Sequence, residues 1–217
     1  MKIAKLTLFY LAIIVLAITL SLAGVRLSIS LGLFALIAMA MIYRHIHILY
    51  RTNNMEQVDK WVKNHRKEPI FAALYASAYG TKQEQLDAID VIIHHYKQPA
   101  IKYNYLFIKA IMEDNLGAAK VAAAKIEKEP LTSYAQCYIA ALEGRTADMR
   151  SDQLTQPWMQ PAVEAVYAYT INDRAKFRQL ADASIDQARG IQKYGLLHNF
   201  KHMEEEWVNE GIIPRAT

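Results

Sequence analysis

Lys67-Glu68-Pro69, Lys97-Gln98-Pro99, Lys128-Glu129-Pro130 and Met159-Gln160-Pro161 are four versions of one tripeptide, and their prolines lie 30, 31 and 31 residues apart. Proline disfavours helix in the residue before it, yet is accepted in a first helical turn. Each tripeptide therefore ends one helix and starts another. A period of this length with this punctuation predicts stacked helical hairpins.

The punctuation divides the chain into four units. The first predicts helices from Pro69 to Tyr79 and from Lys82 to Tyr96, broken at Gly80-Thr81. The second predicts Pro99 to Glu113 and Leu116 to Lys128, turning at Asp114-Asn115. The third predicts Pro130 to Glu143 and Arg145 to about Thr155, turning at Gly144. The fourth predicts Pro161 to Ile171 and Asp173 to Arg189, turning at Asn172. Gly, Asn and Asp suit such turns because they cap helices and accept left-handed backbone. The second helix of the third unit is the poorest, with Arg145, Asp148, Arg150, Ser151 and Asp152 and few apolar residues. Before the first unit, Asn53-Asn54 offers an N-cap, and Val58, Trp61 and Val62 give one apolar helix face ending near Arg66. After the last, Ile191 to Asn209 reads as a closing helix with Leu196, Leu197, Phe200, Met203 and Trp207 as its apolar stripe. A repeat array needs such a cap, since an end unit exposes a face its neighbours would otherwise bury. Residues 211–217 are expected to form a flexible tail.

The first fifty residues have another character. Residues 1–51 contain no Asp or Glu; their charges are Lys2, Lys5, Arg26, Arg44 and Arg51. Leu6 to Val25 is a 20-residue apolar run, and Leu27 to Tyr43 adds 17 uncharged residues. As helices these would be about 30 Å and 25 Å long, near the thickness of a bilayer core. The expectation is a membrane anchor over residues 1–51, with spans at about 6–25 and 27–43 in a tight hairpin. A cleaved signal peptide is the rival reading, with Lys2 and Lys5 as its basic start and Ser21-Leu22-Ala23 as its cleavage site. The length of the run, and the second apolar segment directly behind it, favour the hairpin. Lys2 and Lys5 precede the first span, and Arg44, Arg51, Lys60, Lys63, Arg66 and Lys67 come after the second, while only Arg26 lies between. The positive-inside rule then places both termini, and the repeat domain of residues 52–210, in the cytoplasm. Tyr43, Tyr50, His45 and His47 flank the membrane exit and suit an interfacial belt.

Removing those five basic residues leaves 20 basic against 21 acidic ones. The pI near 9 thus belongs to the membrane-flanking residues, which argues against nucleic acid as a partner. Cys137 is the single cysteine, so no intramolecular disulfide can form.

Paired antiparallel helices, an Ala-rich interior and a proline closing the second helix resemble tetratricopeptide-type repeats over roughly residues 55–190. The unit is 30–31 residues rather than about 34, and the family's Trp-Leu-Gly-Tyr series is absent in order. The resemblance implies an all-α fold, an α-solenoid of about four helix-turn-helix units with a C-terminal capping helix. It also implies a protein or peptide partner bound on a concave face.

Eight of the 13 tyrosines fall in the first helices of the units. Four residues after each proline stand Ala73, Tyr103, Tyr134 and Ala165; six after stand Tyr75, Tyr105, Gln136 and Tyr167; eight after stand Ser77, Phe107, Tyr138 and Tyr169. The four- and eight-residue offsets share a helix face, and the six-residue offset points nearly opposite. One set can pack inward while the other lines a groove, or both can be core. Tyr75, Tyr105, Gln136 and Tyr167 are the candidate partner-contacting stripe.

Chemistry has little support. His198 and His202 share a helix face, but Asn-Phe-Lys between them is not the Glu-x-x of a zinc protease. His94 and His95 are adjacent and diverge. There is no G-x-S-x-G and no P-loop. No Asp, Glu, Lys, Arg or His lies between Lys5 and Arg26 or between Arg26 and Arg44, which argues against transport. The sequence predicts no catalytic residues, no metal and no cofactor. Its first reading is a membrane-anchored adaptor or scaffold, not an enzyme, with the lipid bilayer and a protein or peptide as partners. A regulatory or toxin-like protein whose hairpin self-associates is the alternative. An enzyme built on the His198/His202 pair comes third.

Overall fold

The computed structural model describes residues 2–209. The expected tail at 211–217 lies outside the described residues. The protein is all-α, with no strand among the described residues. It divides into two units, Met1–His47 and Ile48–Thr217.

The first unit holds α1 (Lys2–Leu22) and most of α2 (Leu27–Tyr50). Gly24, at φ 69°, turns the chain between them, and the Ala23 and Val25 amides donate to the Thr19 and Leu20 carbonyls. Among the described residues α2 is the one helix long and apolar enough to cross a membrane; the described apolar part of α1, Leu11–Leu20, is shorter. No residue of α2 is buried. Leu31, Leu36, Met39 and Ile42 are all more than half exposed. The helix also continues past Tyr43, where the apolar run ends, to Tyr50, because nothing in Arg44–Leu49 breaks it.

The second unit begins with α3 (Met55–His65), capped by the Asn54 side chain, which accepts from the Gln57 amide at 3.0 Å. It continues with α4 (Pro69–Tyr79), α5 (Lys82–His95), α6 (Pro99–Met112), α7 (Leu116–Ala123), α8 (Leu131–Leu142), α9 (Met159–Thr170), α10 (Arg174–Gln187) and α11 (Gly190–Asn209). Each helix packs on the next. Pro69 and Pro99 open α4 and α6, as expected of proline in a first turn.

Three turns share one geometry. Asp114, Gly144 and Asn172 adopt φ 55°, 68° and 61°. Behind them the amides of Asn115, Arg145 and Asp173 reach back to the carbonyls of Ala110, Ala140 and Ala168, each at 2.9 Å. This is the Schellman closure, which satisfies carbonyls that the helix end leaves open. Asn115 and Asp173 then cap the following helix, accepting from the Ala118 and Lys176 amides. Arg145 occupies the same place and has no side-chain acceptor. No second α-helix forms there. Residues 145–155 instead make two short 3-10 turns, Thr146–Asp148 and Ser151–Gln153, with Arg150 left-handed at φ 38°. The third unit is therefore not a helical hairpin. Buried Met149 is its main anchor. α7 also stops at Ala123, five residues short of the expected Lys128.

The core runs through three clusters, centred on α8–α11, on α6–α8, and on α3 with α4 and Tyr194 of α11. α11 does more than cover the helix before it. It packs on α10 and also on α3 and α4, returning to the start of the unit. Gly190 makes the return tight: its amide donates to the Thr52 carbonyl at 2.8 Å, and a Cβ there would overlap the Leu49 carbonyl group. Its φ of 56° is one that L side chains avoid.

Two substitutions test this account. Asn115→Ala removes the α7 cap and lowers stability by about 1 kcal/mol. Gly190→Ala lowers it by about 1–3 kcal/mol through backbone strain, with the clash in addition. Thermal unfolding of the full chain in detergent reads both, and Gly117→Ala, at an unstrained helical position, is the control that keeps or raises the midpoint.

Candidate functional site

Tyr75, Tyr105, Gln136 and Tyr167 fall on α4, α6, α8 and α9. Among the described residues no hydrogen bond or ring contact joins any two of them. Tyr75 is half-buried against the α3–α4 cluster, with the Arg66 guanidinium 5.6 Å from its ring. Tyr105 is half-buried; burial, with Tyr96 nearby, pushes its hydroxyl up to about 12. Gln136 is exposed. Tyr167 packs at the edge of the α8–α11 core.

Three of the four eight-residue positions meet α11. The Ser77 carbonyl accepts from His202 Nε2 at 2.7 Å. Burial pushes Tyr138 up to about 12, with Asn199 of α11 beside its hydroxyl. The Tyr169 ring stacks on Trp207 at 4.5 Å, and its hydroxyl donates to Glu206 at 3.2 Å. The last helix thus meets three of the four eight-residue positions, while Phe107 packs within the α6–α8 cluster; the stripe of Tyr75, Tyr105, Gln136 and Tyr167 belongs to the other side of the same helices.

A polar cluster joins α3, α4 and α11. Asp59 Oδ1 accepts from the Tyr79 hydroxyl at 2.5 Å and from the Tyr194 hydroxyl at 3.0 Å, and Oδ2 pairs with Lys63 at 2.8 Å. The Lys63 ammonium also sits 4.5 Å from the Tyr79 ring centre. Burial works to raise the Asp59 carboxyl, but donation from Lys63, Tyr79 and Tyr194 outweighs it and holds the group below its usual value. Tyr194, 2% exposed, is pushed up by burial and by the Asp59 carboxylate. His198 packs edge-on against Tyr194 at 4.5 Å, and burial, with smaller effects from His202 and Lys201, lowers its pKa.

Comparison with protein-family models, curated proteins and solved structures gives no match for this chain. The site is therefore read from geometry alone. His198 and His202 do not converge: one packs on tyrosines, and the other donates to a backbone carbonyl. Among the described residues no group of three or more His, Cys, Asp or Glu side chains could hold a metal. Cys137 is buried, and burial with nearby Asp152 raises its thiol, the reverse of what a nucleophile needs. Sequence reasoning missed the Asp59–Tyr79–Tyr194 cluster. Its members are up to 135 residues apart, and no local pattern links them.

The cluster sets a pH dependence. Because the folded-state pKa of Asp59 is lowered, its contribution is complete above the unfolded carboxyl value of about 3.9 and is lost as pH falls through the folded value. Asp59→Asn is expected to cost about 1–3 kcal/mol at neutral pH. The deficit relative to wild type should shrink below about pH 4, read by urea unfolding of the full chain at a series of pH values. A deficit that stays constant across that range contradicts this role.

Proposed function

We propose that this protein is a membrane-anchored helical-repeat adaptor, which holds a protein- or peptide-binding domain at the cytoplasmic face of a membrane. The observation that carries the reading is α2, a 24-residue apolar helix with no buried residue. Exposing that surface to water costs roughly 25 cal/mol per Å², and a bilayer removes the cost. α1 and the turn at Gly24 support a two-span hairpin, with both ends on the side where basic residues concentrate. In the second unit, successive packed helices with a recurring Schellman turn support the helical-repeat reading. Tethering such a domain raises the local concentration of its partner without any new contact. Tyr75, Tyr105, Gln136 and Tyr167 are the proposed contact stripe.

The test uses full-length Cys137→Ala protein with one new cysteine, at Val25 or at Gln136, in spheroplasts. An impermeant maleimide should label Val25→Cys from outside, and Gln136→Cys only after permeabilisation. Both variants should stay in the pellet on carbonate extraction. Release by carbonate, or labelling of Gln136→Cys from outside, overturns the anchor or its orientation respectively.

A further inference from the structure

Charge is unevenly placed along the second unit. From Arg51 to Lys67 the chain carries Arg51, Lys60, Lys63, Arg66 and Lys67 against Glu56 and Asp59, while residues 68–217 carry 16 basic and 19 acidic residues. The unit is thus positive at its start and negative over the rest. Packing sharpens the contrast. Val58 and Val62 are buried on one side of α3, and Lys60, Lys63, Arg66 and Lys67 stay exposed. Asp59 is half-buried, where it accepts from the tyrosine hydroxyls of α4 and α11 and also pairs with Lys63. Of the two acids of α3, only Glu56 is left on the exposed side. Four residues, Arg51–Asn54, join α2 to α3, at most about 14 Å of chain. The basic segment therefore begins directly beyond the helix read as the anchor. The positive-inside rule counts basic residues near a span and takes no account of helix phase. It does not require that these charges share the exposed side of α3, or that Asp59 be drawn inward.

We infer that the α3 edge of the second unit, with Arg51, Lys60, Arg66 and Lys67, binds the anionic headgroups of the membrane that anchors α2, and so holds the domain on the bilayer in one orientation. This rests on the membrane-anchor reading and adds the lipid class to it. Lys and Arg clustered just beyond a membrane-spanning helix are attracted to an anionic leaflet, each charge strengthening contact about fivefold. Their long apolar stems suit headgroup depth. The attraction fades over about 8 Å at physiological salt, so it acts on the edge next to the anchor. The negative remainder of the unit is repelled by the same surface, which fixes the sense of the orientation.

The probe is a bilayer of stated composition: nanodiscs of phosphatidylcholine alone, or of phosphatidylcholine mixed with phosphatidylglycerol, holding the full-length Cys137→Ala protein. A bimane fluorophore on Asn64→Cys, exposed on α3, reports contact with spin-labelled headgroups by its quenching. Quenching should rise at least about twofold with the anionic lipid. It should fall back at about 1 M salt, where the screening length is about 3 Å. It should also fall back in the Lys60→Glu/Lys67→Glu variant, with circular dichroism unchanged. A bimane on Gln136→Cys should show no such rise. Quenching at Asn64→Cys that ignores lipid charge, an equal rise at Gln136→Cys, or a rise that survives the double variant overturns the α3 edge and leaves the anchor standing. Failure of the chain to enter nanodiscs of either composition overturns the anchor reading, and the edge with it.

Discussion

The carboxylate of Asp59 sits where the first and last helices of the folded unit meet, and the geometry there depends on its staying charged and saturated with donors. Apart from the contacts of α11 with α8 and α9, helix-to-helix contacts elsewhere in the unit are mainly between neighbours in the chain, so they close short loops at small entropic cost. The return of α11 to α3 and α4 is different. It joins residues more than a hundred positions apart, and it must seat a buried tyrosine hydroxyl. Tyr194 can be buried there because Asp59 accepts from it; without an acceptor its desolvation would be uncompensated. Tyr79 and Lys63 complete the arrangement from two further positions, so one carboxylate holds three helices together.

Turn chemistry decides where hairpins form along the chain. Asp114 and Asn172 accept left-handed backbone as Gly144 does, and the residue after each one decides whether a new helix starts. Asn115 and Asp173 carry acceptors and start α7 and α10. Arg145 carries donors only, pairs with Glu143 and Asp148, and leads into two 3-10 turns. One side chain's hydrogen-bonding polarity thus separates a helical hairpin from an irregular link. α8 and α9 consequently pack directly on one another.

The surfaces are divided accordingly. α11 meets the first helices at Ser77, Tyr138 and Tyr169. Their opposite side carries the half-buried Tyr75, Tyr105 and Tyr167 and exposed Gln136. In the proposed adaptor the tyrosine stripe does the binding, and the apolar helix α2, none of whose residues is buried, does the anchoring. Gly190 and Thr52 tie the segment just before α3 to the α10–α11 turn within the second unit.

The sequence by itself determined the all-α class, the helix starts at Pro69 and Pro99, the left-handed turn sites and the apolar character of α2. Each of these rests on a local property: a fixed φ, a missing donor, a side-chain acceptor, or a run of apolar residues. The sequence also flagged residues 145–155 as weak, but not that Arg145 was the cause, because capping depends on where the preceding Schellman turn places it. The tyrosine columns were legible as helix faces, while which face would be covered was not. Only the tertiary structure decided that, by carrying α11 back to Asp59 and Ser77. The closure comes from hydrogen bonds between residues 125 and 135 positions apart, and no periodicity in the chain encodes a contact at that range.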